Sequence, residues 1–228
     1  MLTAAILPVK RFALAKQRLG AGLNGPMRRR LAEAMVGDVL AALAEVRYLA
    51  RVIVVTGEPA VLVPARAAGA IVVDDGGESG QSPAVERGVA RALSEGMQRV
   101  LLIPGDCPTL DPAELERLLE PQAAREVVIV PDRHGSGTNG LLLTPPDIIA
   151  PGFGPGSFER HRERAERARV PWRAERPPSL LLDVDTGEDL RVLRECLVAG
   201  SPRATRARAV LQSCSEREAS SPLAAGPG

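Results

Sequence analysis

A doubly wound α/β domain with a mostly parallel sheet is the fold this sequence predicts, and three observations predict it. Short apolar runs alternate with helical stretches in the order β-α-β-α-β-α-β-α-β over the first 130 residues. Such a succession builds parallel strands through right-handed crossovers. The apolar share is 45% while aromatics are only 2%, so the core must be Leu, Val, Ile and Ala. Finally, Val100-Leu101-Leu102-Ile103 reads as a strand buried on both faces, stopped by Pro104-Gly105. That run delivers Asp106 to the carboxyl end of the strand, where ligands bind in open parallel sheets. Taken alone, Asp106 is equally well read as a turn former, because Asp hydrogen-bonds its own local backbone.

The elements follow in order. Thr3 to Leu7 is the first strand, closed by Pro8, and Val9 to Gly22 is a loop carrying Lys10, Arg11, Lys16 and Arg18. Pro26 suits the first turn of a helix, and Met27 to Val46 continues with helical periodicity. Val52 to Val55 is a second strand, 58–68 a short helix, and Ala70 to Val73 a third strand. The polar loop 74–81 enters a helix over 82–95, after which comes the central strand. The next helix has Asp111 as N-cap, Pro112 at its first position and Glu114 as the reciprocal capping residue. Val127 to Val130 is the fifth strand. Gly140 to Thr144 then reads as a strand of an excursion at one edge of the sheet, with a charged helix over 157–169. Leu180 to Leu182 returns as a strand, and Thr186 to Val198 is the last helix. Residues 1–199 therefore form the domain. Residues 200–228 are rich in Ser, Pro, Ala, Gly and Arg, which predicts a disordered tail.

Composition excludes several classes. Residues 200–228 hold four Arg and two Glu, which leaves 25 basic against 26 acidic side chains elsewhere. That balance gives no electrostatic footprint for nucleic acid. No apolar run approaches the roughly 18 residues of a membrane span, and the N-terminus lacks the basic region that precedes a signal-peptide core. Cys107, Cys196 and Cys214 are odd in number and free of zinc-like spacing. A reduced, cytoplasmic protein is expected. Lys10 and Lys16 are the only Lys among 29 basic residues. A compact ammonium is a point-charge binder of phosphate, unlike the planar fork of Arg; for two residues, chance is the competing explanation.

Two acidic and two glycine-rich stretches could carry chemistry. In Leu182-Asp183-Val184-Asp185-Thr186 the strand alternation points Asp183 and Asp185 the same way. Two carboxylates on one face repel unless a cation lies between them, and Mg²⁺ is usually held by one or two Asp plus substrate phosphates. The alternative is a plain helix start, with Thr186 as N-cap and Asp189 reaching back; that cap is expected too, and it leaves Asp183 unexplained. The stretch from Pro131 to Gly140 holds three Gly, Ser136 and Thr138, which suits an anion nest of backbone N–H groups or an ordinary long turn. Phe153-Gly154-Pro155-Gly156-Ser157 opens a helix with Ser157 as N-cap, whose positive end suits a phosphate or carboxylate. His161 and the Arg-rich face after it read as solvated surface, and Cys107 as packing beside the central strand.

Several segments together resemble a known family. Pro8-Val9-Lys10 with Ala15-Lys16-Gln17-Arg18-Leu19 is similar to the N-terminal signature of the phosphoenolpyruvate/2-phospho-L-lactate guanylyltransferases of coenzyme F-420 biosynthesis. Pro104 to Pro108, Asp132 to Asn139, Phe153 to Ser157 and Asp183 to Thr186 match in the family's order, and the resemblance spans about residues 3–198. It implies a fold of the nucleotidyltransferase (nucleotide-diphospho-sugar transferase-like) type, with GTP and Mg²⁺, and a small phosphorylated carboxylic acid held at Thr138, Gly154 and Ser157. One departure is Gln81-Ser82-Pro83 where the family commonly has a Leu-Asn pair, which leaves guanine recognition open. Sequence does not distinguish phosphoenolpyruvate, 2-phospholactate and 3-phosphoglycerate.

The expected reaction is attack by the acid's phosphate on the α-phosphorus of GTP, with pyrophosphate leaving. The nucleophile is already an anion, so no general base is needed. Lys10 and Asp106 are the expected catalytic residues, with Mg²⁺ on Asp106, Asp183 and Asp185 and with Lys10, Lys16 and Arg18 on the nucleotide. Two rival classes stay open. A nucleotide-sugar glycosyltransferase shares the fold and carboxylates but needs a larger acceptor cleft. A non-catalytic nucleotide-binding regulator has no need of three converging Asp. Oligomeric state is not legible.

Overall fold

The computed structural model describes residues 1–12, 19, 23–77, 81–120 and 123–219. Its centre is a seven-stranded sheet: β1 (Thr3–Val9), β2 (Leu49–Thr56), β3 (Ile71–Val73), β4 (Arg99–Leu102), β5 (Glu126–Pro131), β6 (Thr138–Thr144) and β7 (Trp172–Ala174), in the order β3-β2-β1-β4-β6-β5-β7. β6 runs antiparallel to both neighbours, and every other pair is parallel. β1 continues through Pro8 to Val9, its last residues paired with β2 alone.

The helices are α1 (Gly25–Glu45), α2 (Pro59–Ala67), α3 (Gln81–Ser94), α4 (Pro112–Leu119), α5 (Ser157–Arg167), α6 (Gly187–Val198) and α7 (Thr205–Ala219). Alternation along the strands divides the core in two. Leu7, Val54, Leu101, Val128 and Leu142 meet α1, α2 and α4 on one face. Ile6, Ile53, Leu102, Ile129 and Leu141 meet α3 and α5 on the other. None of the described helices is long and apolar enough to cross a membrane.

Four expectations change. First, β6 is not an edge excursion; it lies between β4 and β5. Leu141 and Leu143 enter one core cluster and Leu142 the other, and a run needing burial on both faces belongs inside a sheet. Second, Leu180 to Leu182 is not a strand. A 3₁₀ turn spans Pro178–Leu180, because Pro177 and Pro178 bring no N–H to a ladder.

Third, Glu114 does not cap its own helix. Asp111 does, accepting from the Ala113 N–H at 2.8 Å, whereas Glu114 accepts from the Ser179 N–H at 2.8 Å. Fourth, within the tail expected to be disordered from residue 200 onward, Thr205–Ala219 forms α7. Ala204, Ala207, Leu211 and Cys214 pack with Met27, Leu31 and Met35 of α1 and with Leu190 and Leu193 of α6. Asp38 on α1 seals the junction: its buried carboxylate accepts from the Arg206 and Ala207 N–H groups at 3.0 and 2.9 Å. Burial pushes that carboxyl's pKa up, against these hydrogen bonds and the Arg206 charge. Residues 220–228 lie outside the described residues.

Candidate active site

The carboxyl ends of β1 and β4 adjoin, and both deliver chemistry. Lys10 is the first residue past β1 and is exposed. Its flanks are fixed: the Thr56 hydroxyl donates to the Val9 carbonyl at 2.8 Å, and the Phe12 N–H donates to buried Glu58 at 2.8 Å. Asp106 follows β4. Its carbonyl accepts from the Val184 N–H at 3.0 Å, so the acidic stretch 183–185 is pinned beside it.

That stretch does not belong to the sheet. Leu182 and Val184 are buried in the α1–α6–α7 cluster, while Asp183 and Asp185 lie on the opposite side of the chain. Asn139, at the start of the reversed strand β6, does the holding. Its amide nitrogen approaches the Leu180 and Leu181 carbonyls at 3.0 and 3.1 Å and Asp183 Oδ1 at 3.1 Å. Gly140 beside it has no side chain to meet Leu180; an added Cβ would come within 2.9 Å of Leu180 Cδ2. Burial first, and then the negative charge of Asp106, raise the Asp183 pKa to about 6; Asp185 adds to the rise and the Asn139 hydrogen bond opposes it. Among the described residues no three or more His, Cys, Asp or Glu side chains form a ready-made metal cluster.

Asp185 runs into the cap of α6. Thr186 accepts from the Asp189 N–H at 3.3 Å, and Asp189 Oδ2 accepts from the Thr186 N–H at 2.8 Å, the capping box expected from sequence. Asp189 also pairs with Arg133 at 2.8 Å. One buried carboxylate thereby ties the loop before β6 to the acidic stretch.

The second half of the site lies around Thr138, the neighbour of Asn139. The glycine-rich loop is a closed turn rather than an open nest: the Gly135 N–H donates to the Asp132 carbonyl at 3.1 Å and the Ser136 N–H to Asp132 Oδ1 at 3.0 Å. Thr138 itself is buried, its hydroxyl 3.0 Å from His161 Nδ1. His161 is fully buried, not solvated, since Ser157, His161 and Ala165 are the inward stripe of α5. The N-cap is Gly156 and not Ser157. Gly154, at φ +105°, takes a conformation that L side chains rarely adopt, and its carbonyl accepts from the Ser157 N–H at 3.0 Å. Ser157 Oγ is buried with no hydrogen-bond partner among the described residues, a state that calls for an explanation in a folded protein.

The structure thus brings Asp106, Asp183 and Asp185 to one side of the start of β6 and Thr138 and Ser157 to the other. Lys16 and Arg18 lie outside the described residues. Asn139, His161, Glu58 and the Arg133–Asp189 pair were not singled out from sequence as site residues.

Over most of its length the chain is similar to known proteins. The family model described as "Guanylyl transferase CofC like" matches residues 3–216. A phosphoenolpyruvate guanylyltransferase of Conexibacter woesei is 50% identical over 213 residues, covering 92% of this chain and 96% of that protein. A 2-phospho-L-lactate guanylyltransferase of Methanothermobacter thermautotrophicus is 36% identical over 190 residues, covering 83% of each. Among solved structures, a Desulfovibrio desulfuricans protein provisionally assigned as a nucleotide-diphospho-sugar transferase superposes with a TM-score of 0.75 at 20% identity, covering 95% of this chain and 96% of that one.

Proposed function

The chain belongs to the CofC-like guanylyl transferase family, and from that premise we propose that it transfers GMP from GTP to the phosphate of a three-carbon phospho-acid. Pyrophosphate is the leaving group, and the step belongs to coenzyme F-420 biosynthesis. Phosphoenolpyruvate is the favoured acid, being the one in the name of the 50% identical relative; 2-phospho-L-lactate, from the 36% identical one, is the second candidate.

The observation that carries this reading is the placement of Thr138 and Asn139. Consecutive on β6, they face opposite kinds of chemistry. On the Thr138 side, two buried hydroxyls and the turn at Gly154 offer neutral hydrogen-bonding groups suited to the oxygens of an anion. On the Asn139 side, Asp106, Asp183 and Asp185 offer hard oxygens suited to a cation.

Mg²⁺ fits that second set. A cation would offset both the burial and the repulsion from Asp106 that raise Asp183 to about 6, and Mg²⁺ asks only one or two carboxylates of the protein, the remainder coming from phosphates and water. Bound there, it would neutralise charge on the phosphates during transfer. The chain's own residues then align two anions. Thr138 and Ser157 hold the acid so that its phosphate faces the nucleotide. Lys10, with Lys16 and Arg18 of the same segment, draws the GTP phosphates to the carboxyl end of β1. Because the nucleophile is ionised already, orientation replaces base catalysis.

The test is pyrophosphate release from each nucleoside triphosphate paired with phosphoenolpyruvate, 2-phospho-L-lactate or 3-phosphoglycerate, with and without Mg²⁺. GTP with phosphoenolpyruvate should give the fastest release. Faster release with another nucleotide, or with a sugar phosphate as acceptor, would refute the proposal.

A further inference from the structure

His161 touches two walls of the acid pocket, and the direction of its hydrogen bonds follows from one fixed donor. Its Nε2 lies 2.9 Å from the Gly152 backbone nitrogen. A backbone N–H can only donate, so Nε2 accepts and carries no proton. Burial, with the charges of Arg164 and Arg160, lowers the ring's pKa to about 4, so at neutral pH the imidazole has a single proton, and it must be on Nδ1. That nitrogen faces Thr138 Oγ1 at 3.0 Å. The Thr138 oxygen therefore accepts, and its own hydrogen is left to point elsewhere. Phe153, in the loop that leads to Gly154, packs edge-on against the imidazole with ring centroids 5.3 Å apart.

We propose that His161 is a positioning residue. Its Nδ1–H occupies one lone pair of the Thr138 oxygen and leaves the hydroxyl proton free for an anionic oxygen of the phospho-acid, while the bond from Gly152 holds the imidazole itself in place. The inference rests on the reading of Thr138 as a contact of the acid. Nothing in it requires His161 to touch substrate or to change its protonation. The consequence is that the hydroxyl proton is not spent on His161, so an acceptor such as an anionic oxygen of the acid can take it.

Two variants separate the two nitrogens. His161→Gln keeps an oxygen near the Nε2 position for Gly152 but loses the donor to Thr138. His161→Asn keeps an amide N–H near the Nδ1 position but loses the acceptor for Gly152. His161→Gln should raise KM for phosphoenolpyruvate about tenfold, the scale of one lost hydrogen bond, with kcat and KM for GTP within twofold of wild type. Thr138→Val should do the same, and the double variant should be no worse than the poorer single one. His161→Asn should leave KM for the acid within threefold and show its loss in Tm.

Equal effects of the two His161 variants on KM, or additive effects of His161→Gln and Thr138→Val, would overturn the positioning role. An unchanged KM in Thr138→Val would instead overturn the acid pocket on which the inference stands. The wild-type protein supplies an independent check that needs no variant and no activity. The chain has only two His, so long-range ¹H–¹⁵N correlation can assign each tautomer. His161 should be the Nδ1–H form; an Nε2–H form would end the proposal.

Discussion

Replacing Asp183 by Asn removes one negative charge while leaving an oxygen to accept from the Asn139 amide. In the metal-free protein that exchange should stabilise the fold as it abolishes the activity. The carboxyl is raised from an ordinary 3.8 to about 6, by burial first and by Asp106 second. At about 1.4 kcal/mol for each tenfold in proton affinity, the rise corresponds to roughly 3 kcal/mol of penalty on the ionised form. Asp183 is partly exposed, so solvent screening reduces this to about 1–2 kcal/mol.

The sign follows from linkage. The folded protein binds this proton more tightly than the unfolded chain, so the stability the group contributes is present below about pH 4 and is lost as pH rises through about 6. Wild type and Asp183→Asn should therefore have nearly equal Tm at pH 4 in EDTA. By pH 7 the variant should melt higher by roughly 2–8 °C, at about 2–4 °C per kcal/mol for a chain of this size. Adding Mg²⁺ with GTP should then raise the wild-type Tm and leave the variant's nearly unchanged, while the variant's kcat/KM collapses. Scanning calorimetry at both pH values decides the matter. A variant no more stable than wild type at pH 7, or a gap of the same size at pH 4, would show that burial and Asp106 do not penalise the ionised Asp183 as described.

Other expected outcomes divide the site further. Ser157→Ala should raise KM for the phospho-acid while leaving the Mg²⁺ dependence and KM for GTP close to wild type; a shift confined to the Mg²⁺ titration would invert the two halves of the site. Lys10→Ala should lower kcat/KM for GTP roughly ten- to a hundredfold, the range of a lost charge-assisted contact, against no change for exposed Arg169→Ala, and parity between the two would remove Lys10 from the nucleotide site. Asp38→Ala leaves the Arg206 and Ala207 N–H groups without their acceptor, at a cost of about 1–3 kcal/mol. Its Tm should fall by several degrees, and truncation after Pro202 should lower it further, because Met27, Leu31 and Met35 would lose their cover; an unchanged Tm after truncation would mean that α7 adds nothing to the fold.

Strands and their ends are the most legible part of the sequence, because apolar runs state their own burial. β1, β2, β4 and β5 were legible for that reason, and so was Asp106, because Pro104-Gly105 stops a buried run just before a carboxylate. What a run does not state is its partner. The composition of Gly140 to Thr144 predicts a strand, but its direction and its place between β4 and β5 depend on pairing across the sheet. Leu180 to Leu182 has strand-like composition, and the two Pro before it were the overlooked signal. Its alternation still held: Asp183 and Asp185 share a side although no ladder enforces it. The missed helix α7 had a signal in α1, not in the tail. Met27, Leu31 and Met35 form a stripe separate from Ala32, Val36 and Val39, and a helix apolar on two faces requires cover on both. Asn139 and His161 were invisible as site residues, since their roles are contacts with positions 44 and 23 residues away.

Those separations bear on the order in which the site comes into being. The proposed acid pocket is drawn almost wholly from the continuous stretch 132–161, closed by a hairpin and one helix, and such local contacts form early. The cation side must wait for partners distant in sequence, as in the contacts of Thr109 and Asp111 with Ser179 across 70 and 68 residues. A chain leaving the ribosome has Thr138, Ser157 and His161 in hand before Asp183 has been made. The same asymmetry runs in reverse in the finished protein. The segment 178–186 lies outside the sheet and is held largely by side chains, those of Asn139, Glu114, Ser179 and Asp189. Such a segment opens more readily than the strands beneath it, so in native-state hydrogen exchange the Val184 amide should exchange ahead of those of β6.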